Sequence, residues 1–484
     1  MHQSRINRLR IVAIALGTLA YVTALTSNAQ QQPNIVLLIA DDLGYGELGT
    51  EIANRVPTPQ LDALAQSGIR CTQAYVTAPN CSPSRAGLFT GVSPTRFGYE
   101  FNPIGARNED PGTGLPLSQA TLAKLLRLQG YTTGLIGKWH LGGSADYHPL
   151  RRGFDEFFGF LHEGHFYQPS PYAGLTSMLR RRSLPQGVSN RLFSGSTIFS
   201  SHMGHDEPAY DANNPILHGG QPVVEPTYLT QAFTREAISF IDRHQDKPFF
   251  LTVAYNAVHS PLQARTKVLE QFKNIDDVQR QIFSAMLSDL DTSIGEIVES
   301  LDGKQMRNNT VIFFISDNGG PTRELTSSNF PLRGEKGSMY EGGLRVPFFI
   351  SYPGKLPASS SYPGVVSTLD ILPTALTACA APIPEQSEGT NLLELLTASA
   401  APASRTLFWR QGKRAALRMG NWKIVGQQSA GSNFSWELYD ITNDLSETEN
   451  MASPKSNICL KLSEEWRRLN LQMRPALFGQ PIAK

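Results

Sequence analysis

Charged and polar side chains follow four of the predicted strands, at the point where each strand ends. They are Asp41 and Asp42, Lys138 and His140, His259, and Asp317 and Asn318. Because ligands of open α/β sheets bind outside the carboxyl ends of the strands, we expect these side chains to lie together. Each also has an ordinary structural interpretation, since paired aspartates cap helices and Asp-Asn-Gly is a common turn. Their shared sheet edge is what indicates a site.

The oxygen-bearing members of this set suit a hard divalent cation. Carboxylate and amide oxygens without sulfur favour Ca²⁺ or Mg²⁺ over zinc. The predicted ligands are Asp41, Asp42, Asp317 and Asn318. Three carboxylates outweigh one divalent ion, so an anionic substrate would need further positive charge nearby. The cations that could supply it are Arg85, Lys138 and Lys336.

Cys81 stands at the start of a predicted helix. Pro83 fits the first turn, Ser82 is the predicted N-cap, and Gly91 is the predicted end of the helix. Cys81 would then lie just outside a helix N-terminus, where backbone N–H groups favour an anion, and Arg85 adds a permanent charge. The ordinary interpretation is a small buried thiol before a capped helix.

Strands and helices alternate along the part of the chain that carries these residues. The predicted strands span 34–40, 131–136, 249–255, 310–315 and 346–351. The predicted helices span 59–67, 119–129, 228–244 and about 283–301. This alternation predicts an α/β domain with a large, mixed, mostly parallel sheet flanked by helices. Residues 150–226 show little periodicity and are expected to form a long irregular insertion with a functional role.

The pattern changes after residue 405. Short strands are predicted at 415–419, 422–425 and 436–440, and a final helix at 460–473. This predicts a small α+β domain with an antiparallel sheet. We therefore expect a catalytic domain over residues 30–404 and a C-terminal domain over residues 405–484.

The N-terminus has the features of a secretory signal peptide. Arg5, Arg8 and Arg10 precede an apolar run over residues 11–25, and Ser27-Asn28-Ala29 is a small-residue cleavage site. We expect a signal peptide over residues 1–29 and export to the periplasm or beyond. An uncleaved anchor is the alternative, although the run is short for a bilayer span. No other stretch is long and apolar enough, so no stable membrane insertion is expected after cleavage.

Charge and cysteine content exclude some classes of function. The 484 residues carry a formal net charge of +1 without a long basic or acidic run, which does not favour nucleic acid as a partner. Four cysteines are too few for a disulfide scaffold in a chain of this length. Cys71 and Cys379 are predicted buried thiols, and a disulfide that involves Cys459 remains open.

Six stretches of the chain resemble the type I sulfatases, in the order of that family and over residues 33–350. They are PNIVLLIADDLGYGELG, CSPSRAGLFTG, GYTTGLIGKWHLG, the HSP at His259, FFISDNGG and GEKGSMYEGGLRVP. Asn421-Trp422-Lys423 is similar to a stretch of the family's C-terminal domain. The resemblance implies an alkaline-phosphatase-like fold and the hydrolysis of sulfate esters.

The resemblance also implies a cofactor and a modified residue. The cysteine of C-x-P-x-R is oxidised to formylglycine in that family, and its hydrate is the nucleophile. Cys81 is the matching residue, and a formylglycine-generating enzyme would be its maturation partner. One calcium ion would be held by Asp41, Asp42, Asp317, Asn318 and the modified Cys81.

The remaining roles follow from the same resemblance. Arg85 and Lys138 would fix the formylglycine and the sulfate, and His140 would support proton removal from the hydrate. His259 and Lys336 would face the bridging oxygen and assist the leaving group. The alternatives are a phosphoester or phosphonate hydrolase of the same superfamily, and a catalytically silent secreted glycan-binding protein.

The substrate suggested by the resemblance is a sulfated sugar or polysaccharide. GFDEFFG at residues 153–159 is similar to a stretch in N-acetylgalactosamine 6-sulfatases and polysaccharide sulfatases. His162 and His165 follow it and could bind the sugar. The other interpretation of both is a histidine on a solvated loop.

Overall fold

The computed structural model describes residues 32–48, 56–397, 404–429 and 433–479. From Pro33 onward the described residues form one compact unit. The predicted signal peptide, residues 1–29, lies outside the described residues. Among the described helices, none is long and apolar enough to cross a membrane.

The strands and helices alternate as the sequence predicts over the first part of the chain. The strands are β1 Asn34–Ala40, β2 Ile69–Tyr75, β3 Thr132–Lys138, β4 Glu156–Phe160, β5 Leu175–Arg180, β6 Arg191–Ser194, β7 Thr197–Ser200, β8 Leu217–His218, β9 Gln221–Pro222, β10 Phe249–Ala254, β11 Leu262–Arg265, β12 Thr310–Ser316, β13 Phe348–Ser351, β14 Ser360–Ser367, β15 Thr406–Gln411, β16 Arg414–Met419, β17 Trp422–Gln428 and β18 Phe434–Asp440. The described α-helices are α1 Pro59–Gln66, α2 Cys81–Thr90, α3 Leu122–Arg127, α4 Leu229–Arg243, α5 Thr266–Leu269, α6 Val278–Gly303, α7 Thr322–Leu325, α8 Glu341–Leu344, α9 Ile371–Ala378, α10 Leu392–Thr397 and α11 Ser456–Asn470.

A ten-stranded mixed sheet is the centre of the protein, in the order β14-β2-β13-β12-β1-β10-β3-β4-β8-β9. Its five middle strands, from β12 to β4, are parallel. β1 and β12 are buried along their whole length, as their continuous apolar sequences require. The predicted α/β fold class is confirmed.

Helices cover both faces of this sheet, because alternate side chains of each strand point to opposite faces. Val36 and Leu38 pack on the side of α4 and α6, whereas Ile35 and Leu37 pack on the side of α2, α3 and α9. The long α6 follows the apolar spacing predicted for it, and its buried face includes Phe283, Met286, Leu290, Ile294 and Leu301.

The structure corrects the prediction of an irregular insertion at residues 150–226. Glu156–Phe160 is a parallel strand of the main sheet, and β5, β7 and β6 form a second, four-stranded sheet with β11. The sheet depends on the pairing of β5 with β11, which joins residues far apart in sequence, such as Met178 and Leu262. Local periodicity cannot show such pairings, which is why the region looked irregular.

Strands β2, β14 and β15 were also absent from the prediction. β2 and β14 lie toward one end of the main sheet, and both contain polar or half-exposed residues. Pro363 interrupts β14, whose register shifts between Tyr362 and Val365. A strand with few apolar residues gives a weak sequence signal.

Residues after 405 form the predicted antiparallel sheet with one helix packed on it. The strand order is β15-β16-β17-β18, and α11 buries Leu462 and Trp466 against the sheet. The helix begins at Ser456, four residues before the predicted start. The division into domains at residues 404 and 405 stays a prediction.

A buried ion cluster links this sheet to the loop before β13. Lys423 Nζ lies 2.9 Å from Glu341 Oε1 and 2.9 Å from Glu447 Oε1, and all three side chains are buried. The Tyr75 hydroxyl donates to the second oxygen of Glu341 at 2.6 Å. Lys423 therefore balances two carboxylates that have no access to water.

We expect Lys423→Met to destabilise the fold by about 3–5 kcal/mol, because it removes the cation that lies 2.9 Å from both buried carboxylates. Lys413→Met is the matched control, since Lys413 lies exposed in the turn before β16. Urea unfolding of both variants measures the difference. An unchanged midpoint for Lys423→Met would contradict this account of the cluster.

Candidate active site

The four predicted strand ends meet at one edge of the main sheet. β12, β1, β10 and β3 are adjacent and parallel, so their carboxyl ends point the same way. Asp41 and Asp42 follow β1, Asp317 and Asn318 follow β12, and His140 follows β3. The sheet thus brings together residues more than 270 positions apart in sequence.

Three carboxylates and one thiol form a compact buried cluster there. Ligand atoms of Asp41, Asp42, Asp317 and Cys81 all lie within 4.8 Å of one another. Asn318 Nδ2 donates to Asp42 Oδ1 at 2.6 Å. The amide oxygen of Asn318 is buried and has no hydrogen-bond partner among the described residues.

This arrangement fits a divalent cation. Buried polar atoms nearly always have a partner, so the unsatisfied oxygen of Asn318 indicates a ligand. Oxygen-rich ligand sets suit Ca²⁺ or Mg²⁺, and close carboxylates repel each other without positive charge between them. The residues predicted as metal ligands are therefore brought together as such a site requires.

Each carboxylate of the cluster also contacts at least one cationic side chain, and Asp41 lies 3.9 Å from Arg85 Nη2 as well. Lys138 Nζ lies 2.5 Å from Asp41 Oδ2, and Lys336 Nζ lies 2.8 Å from Asp42 Oδ2. Arg85 Nε lies 2.8 Å from Asp317 Oδ2. Its Nη2 has no hydrogen-bond partner in the described structure. A donor at this position remains available to an anion.

The pKa values of the aspartates reflect this crowding. Burial alone would raise the pKa of Asp41, but the positive charges of Lys138 and Arg85 outweigh burial and lower it. Burial raises the pKa of Asp42 to about 7 despite the attraction of Lys336, and the neighbouring aspartates add to the rise. A bound cation would stabilise the ionised forms of both.

The structure places Cys81 inside the helix rather than just before it. Asn80 is the N-cap residue of α2, and Cys81 is the first helical residue. Ser82 is not the cap, because its hydroxyl donates instead to the carbonyl oxygen of His140 at 2.5 Å. Gly91 ends the helix in a left-handed conformation, as predicted.

The thiol of Cys81 is enclosed. It is 1% exposed and lies 3.6 Å from Asp41 Oδ1. Burial raises the pKa of this thiol above its usual range, and the effect outweighs the attraction of Lys138 and Lys336. An unmodified Cys81 would therefore be a poor nucleophile, since the thiolate is the reactive form.

The two histidines of the site have different surroundings. His259 Nε2 lies 3.7 Å from Asp42 Oδ2, and burial together with Lys336 lowers its pKa to about 3. His140 Nε2 lies 2.9 Å from the carbonyl oxygen of Pro103, whereas its Nδ1 is buried and has no hydrogen-bond partner in the part of the chain that the structure describes. Burial and Lys138 lower the pKa of His140 well below its usual value. Both are neutral near pH 7 in this structure.

The structure places His162 and His165 away from the hydrogen bonds of the metal cluster. His162 is buried, with Nε2 3.8 Å from Glu109 Oε1. His165 Nδ1 lies 2.7 Å from the carbonyl oxygen of Phe166, and its ring is 5.4 Å from that of Phe160. His162 is thus not a solvated loop histidine. A role for either in binding sugar stays a prediction.

Sequence reasoning missed three polar residues beside His259. They are Arg180, Ser260 and Glu324, which contact one another although they lie on separate segments. Ser260 belongs to the HSP motif, but the motif does not indicate what the serine contacts. The other two became visible only when the fold brought them together.

Residues 33–380 match the family model described as Sulfatase. The chain belongs to the sulfatase family. Residues 334–472 also match the model described as N-sulphoglucosamine sulphohydrolase, C-terminal. The protein is accordingly a sulfuric ester hydrolase with an alkaline-phosphatase-like fold.

Two named sulfatases and one crystal structure illustrate what this chain is similar to. The N-acetylgalactosamine-6-sulfatase of Homo sapiens is 32% identical over 407 residues, which cover 82% of this chain and 72% of that protein. The steryl-sulfatase of Homo sapiens is 32% identical over 435 residues, covering 80% of this chain and 73% of that protein. The crystal structure of Ps i-CgsB in complex with k-i-k-neocarrahexaose is 34% identical, with a TM-score of 0.79, and covers 92% of this chain and 94% of that chain.

The carboxylate cluster predicts how this sulfatase responds to loss of a metal ligand. We expect Asp317→Ala to weaken calcium binding by more than about 10-fold, because it removes one charged oxygen ligand from the cluster. Asp302→Ala is the control, since Asp302 is exposed near the end of α6. Calorimetric titration of metal-stripped protein measures both affinities. Equal calcium affinity in the two variants would exclude this site.

Proposed function

We propose that this sulfatase acts on sulfate esters of a sugar or polysaccharide, with a formylglycine made from Cys81 and one calcium ion. The observation that carries this proposal is the cluster of Asp41, Asp42, Asp317 and Cys81 within 4.8 Å. A side chain that is to become the nucleophile shares a buried site with hard oxygen ligands. Cationic side chains contact each of the three carboxylates.

The metal would be held by this cluster and by the unsatisfied oxygen of Asn318. When bound, a calcium ion supplies positive charge that polarises sulfate oxygens and orients the nucleophile. Lys138 and Arg85 keep their positions through contacts to Asp41 and Asp317. Their fixed charges stabilise the developing negative charge without reorganisation.

Residue 81 is the proposed nucleophile. The Sγ atom of Cys81 occupies the place of a hydroxyl of the formylglycine hydrate, which would supply the attacking oxygen. Arg85, four residues later on α2, presents its unpartnered Nη2 for the sulfate. His140 has a free Nδ1 that can accept a proton from the hydrate.

His259 and Lys336 are proposed to serve the leaving group. Both contact the same oxygen of Asp42, at 3.7 Å and 2.8 Å, and so lie on one side of the cluster. Burial and, after it, the charge of Lys336 lower the pKa of His259 and so disfavour its protonation. A sulfate ester brings negative charge beside Lys336, which favours the protonated histidine needed by a departing alcohol.

A sugar substrate is supported by the relatives. One is named for the 6-sulfate of N-acetylgalactosamine, and the neighbouring crystal structure holds a neocarrahexaose. The phosphonate hydrolase alternative shares the fold at 20% identity, which carries no argument about substrate. The intact set of cations and histidines is not needed by a silent glycan-binding protein. Comparing the turnover of an aryl sulfate with that of an aryl phosphate distinguishes a sulfatase from a phosphoester or phosphonate hydrolase.

Maturation and export complete the proposal. Oxidation of Cys81 requires a formylglycine-generating enzyme in the host, and residues 1–29 would direct export to the periplasm or beyond. We place the mature chain outside the cytoplasm for this reason. N-terminal sequencing of the exported protein tests the cleavage after Ala29.

We expect the peptide that carries residue 81 to show the mass of formylglycine or its hydrate when the modifying enzyme is present. Cys81→Ala should abolish turnover, and Cys81→Ser should also do so without a serine-modifying system. Cys71→Ala is the control, since Cys71 is an equally buried thiol away from the site. A fully active enzyme in which Cys81 is wholly an unmodified thiol would overturn the mechanism.

The two histidines should differ in their dependence on the leaving group. General acid catalysis contributes about 10²–10⁴-fold, and an activated nitrophenol barely needs it. His259→Ala should therefore lose on the order of 10²-fold more activity on a sugar sulfate than on an activated aryl sulfate. His140→Ala should slow both substrates alike and leave the added mass of sulfate on the peptide with residue 81. The same leaving-group dependence in both variants, without trapped sulfate, would refute these assignments.

A further inference from the structure

The imidazole of His259 is fixed in one orientation by its surroundings. Its Nδ1 lies 2.7 Å from the carbonyl oxygen of Ser260, which leaves Nε2 toward Asp42. The ring of Tyr210 meets it edge-on, with 6.0 Å between centroids.

The hydroxyl of Ser260 is held as firmly as its carbonyl. Its Oγ donates to Glu324 Oε1 at 2.7 Å and lies 3.0 Å from the Tyr210 hydroxyl. Arg180 Nη2 lies 3.4 Å from the same Oγ. The hydroxyl and the carbonyl of Ser260 therefore both have fixed partners, and the partner of the carbonyl is His259.

A buried ion pair stands behind these contacts. Arg180 Nη1 lies 2.5 Å from Glu324 Oε1, and Arg180 Nη2 lies 2.6 Å from Glu207 Oε1. The Arg180 side chain is only 7% exposed. Because its carboxylate partners are mostly buried too, the charges stay paired and their geometry is well defined.

Three separate segments converge on Ser260. Arg180 ends β5 of the small sheet, Glu324 lies in α7 shortly after the metal ligands of β12, and Ser260 itself follows His259. An ion pair needed only to attach the insertion has no reason to include a hydroxyl next to the histidine. The orientation of His259 therefore depends on contacts from both β5 and α7.

We propose that Arg180 and Glu324 are positioning residues for His259 and act on it through Ser260. This rests on the proposed function, in which His259 gives a proton to the leaving group. Glu324 and Arg180 fix the Ser260 hydroxyl, the fixed residue presents its carbonyl to Nδ1–H, and Nε2 is thereby aimed at the substrate. The small sheet thus contributes to leaving-group departure through Arg180.

Ser260→Ala tests the proposal, because it removes the hydroxyl and keeps the carbonyl. We expect kcat on a sugar sulfate to fall about 10- to 100-fold, since small misplacements of a catalytic group cost this much. KM should change little, and kcat on an activated aryl sulfate should fall less than about 3-fold because nitrophenolate leaves without a proton. Glu324→Gln, which keeps the shape of the side chain, should show the same split.

The decisive measurement is a double-mutant cycle with His259→Ala. If Ser260 and Glu324 act through the histidine, their substitution should have no further effect on sugar sulfate turnover in the His259→Ala background. Ser284→Ala is the matched control, because its buried hydroxyl donates to the Arg280 carbonyl inside α6. We expect this control to leave both activities unchanged.

Two failures can be told apart. Suppose that His259→Ala loses more activity on the sugar sulfate than on the aryl sulfate, as expected. The positioning role is then wrong if Ser260→Ala and Glu324→Gln slow both substrates alike, or if their effects add to that of His259→Ala. If His259→Ala itself shows no such dependence, the proposed role of the histidine is wrong and this proposal falls with it. Circular dichroism and unfolding midpoints confirm that each variant is folded, and Glu324→Gln serves alone should Ser260→Ala not fold.

Discussion

Charge balance at one edge of the main sheet is the constraint on which the rest of the site depends. Asp41, Asp42 and Asp317 are all buried, and burying an ionised carboxylate without a positively charged partner costs a large free energy. Lys138 contacts Asp41, Lys336 contacts Asp42, and Arg85 contacts both Asp317 and Asp41. These three cations match the three carboxylates, so a bound divalent cation would provide the excess positive charge that an anionic substrate needs. The positions of Lys138, Arg85 and Lys336 follow from these contacts, whereas the ring of His140 is held by the carbonyl oxygen of Pro103.

The parallel sheet is what makes such a concentration of charge possible. Five adjacent parallel strands end at the same edge, so loops from distant parts of the chain deliver their first residues to one place. The apolar strands themselves remain buried on both faces. Stability therefore comes from the strands and their covering helices, while the destabilising cluster sits where the strands stop.

The sequence predicted the parts of this arrangement that have local signals. The apolar runs of β1 and β12, the end of α2 at Gly91, and the polar residues after each strand could all be read in order. The N-cap could not, because Ser82 is engaged by a carbonyl from β3's loop rather than by its own helix. Hydrogen bonds between distant segments decide such details, and sequence spacing does not contain them.

The same limit explains the insertion at residues 150–226. Its strands are short, and β5, on which β7 and β6 build, pairs with β11 far along the chain. The sheet as a whole therefore has little local signal in the sequence. Arg180 appeared as one of three consecutive arginines and carried no signal of its buried partners. A buried ion pair becomes recognisable only when both of its members are placed in space.

The complete burial of α2 has a consequence for the order of events in the life of the chain. Every residue from Cys81 to Thr90 is buried, and the thiol itself is 1% exposed. An enzyme that oxidises a side chain must enclose it, which the folded protein does not permit. The proposed conversion of Cys81 therefore has to occur while the chain is still unfolded. Once the chain has folded, the side chain can no longer be oxidised. Molecules that fold before modification would keep a thiol that no later encounter can reach, so the active fraction of a preparation would record a competition between two rates.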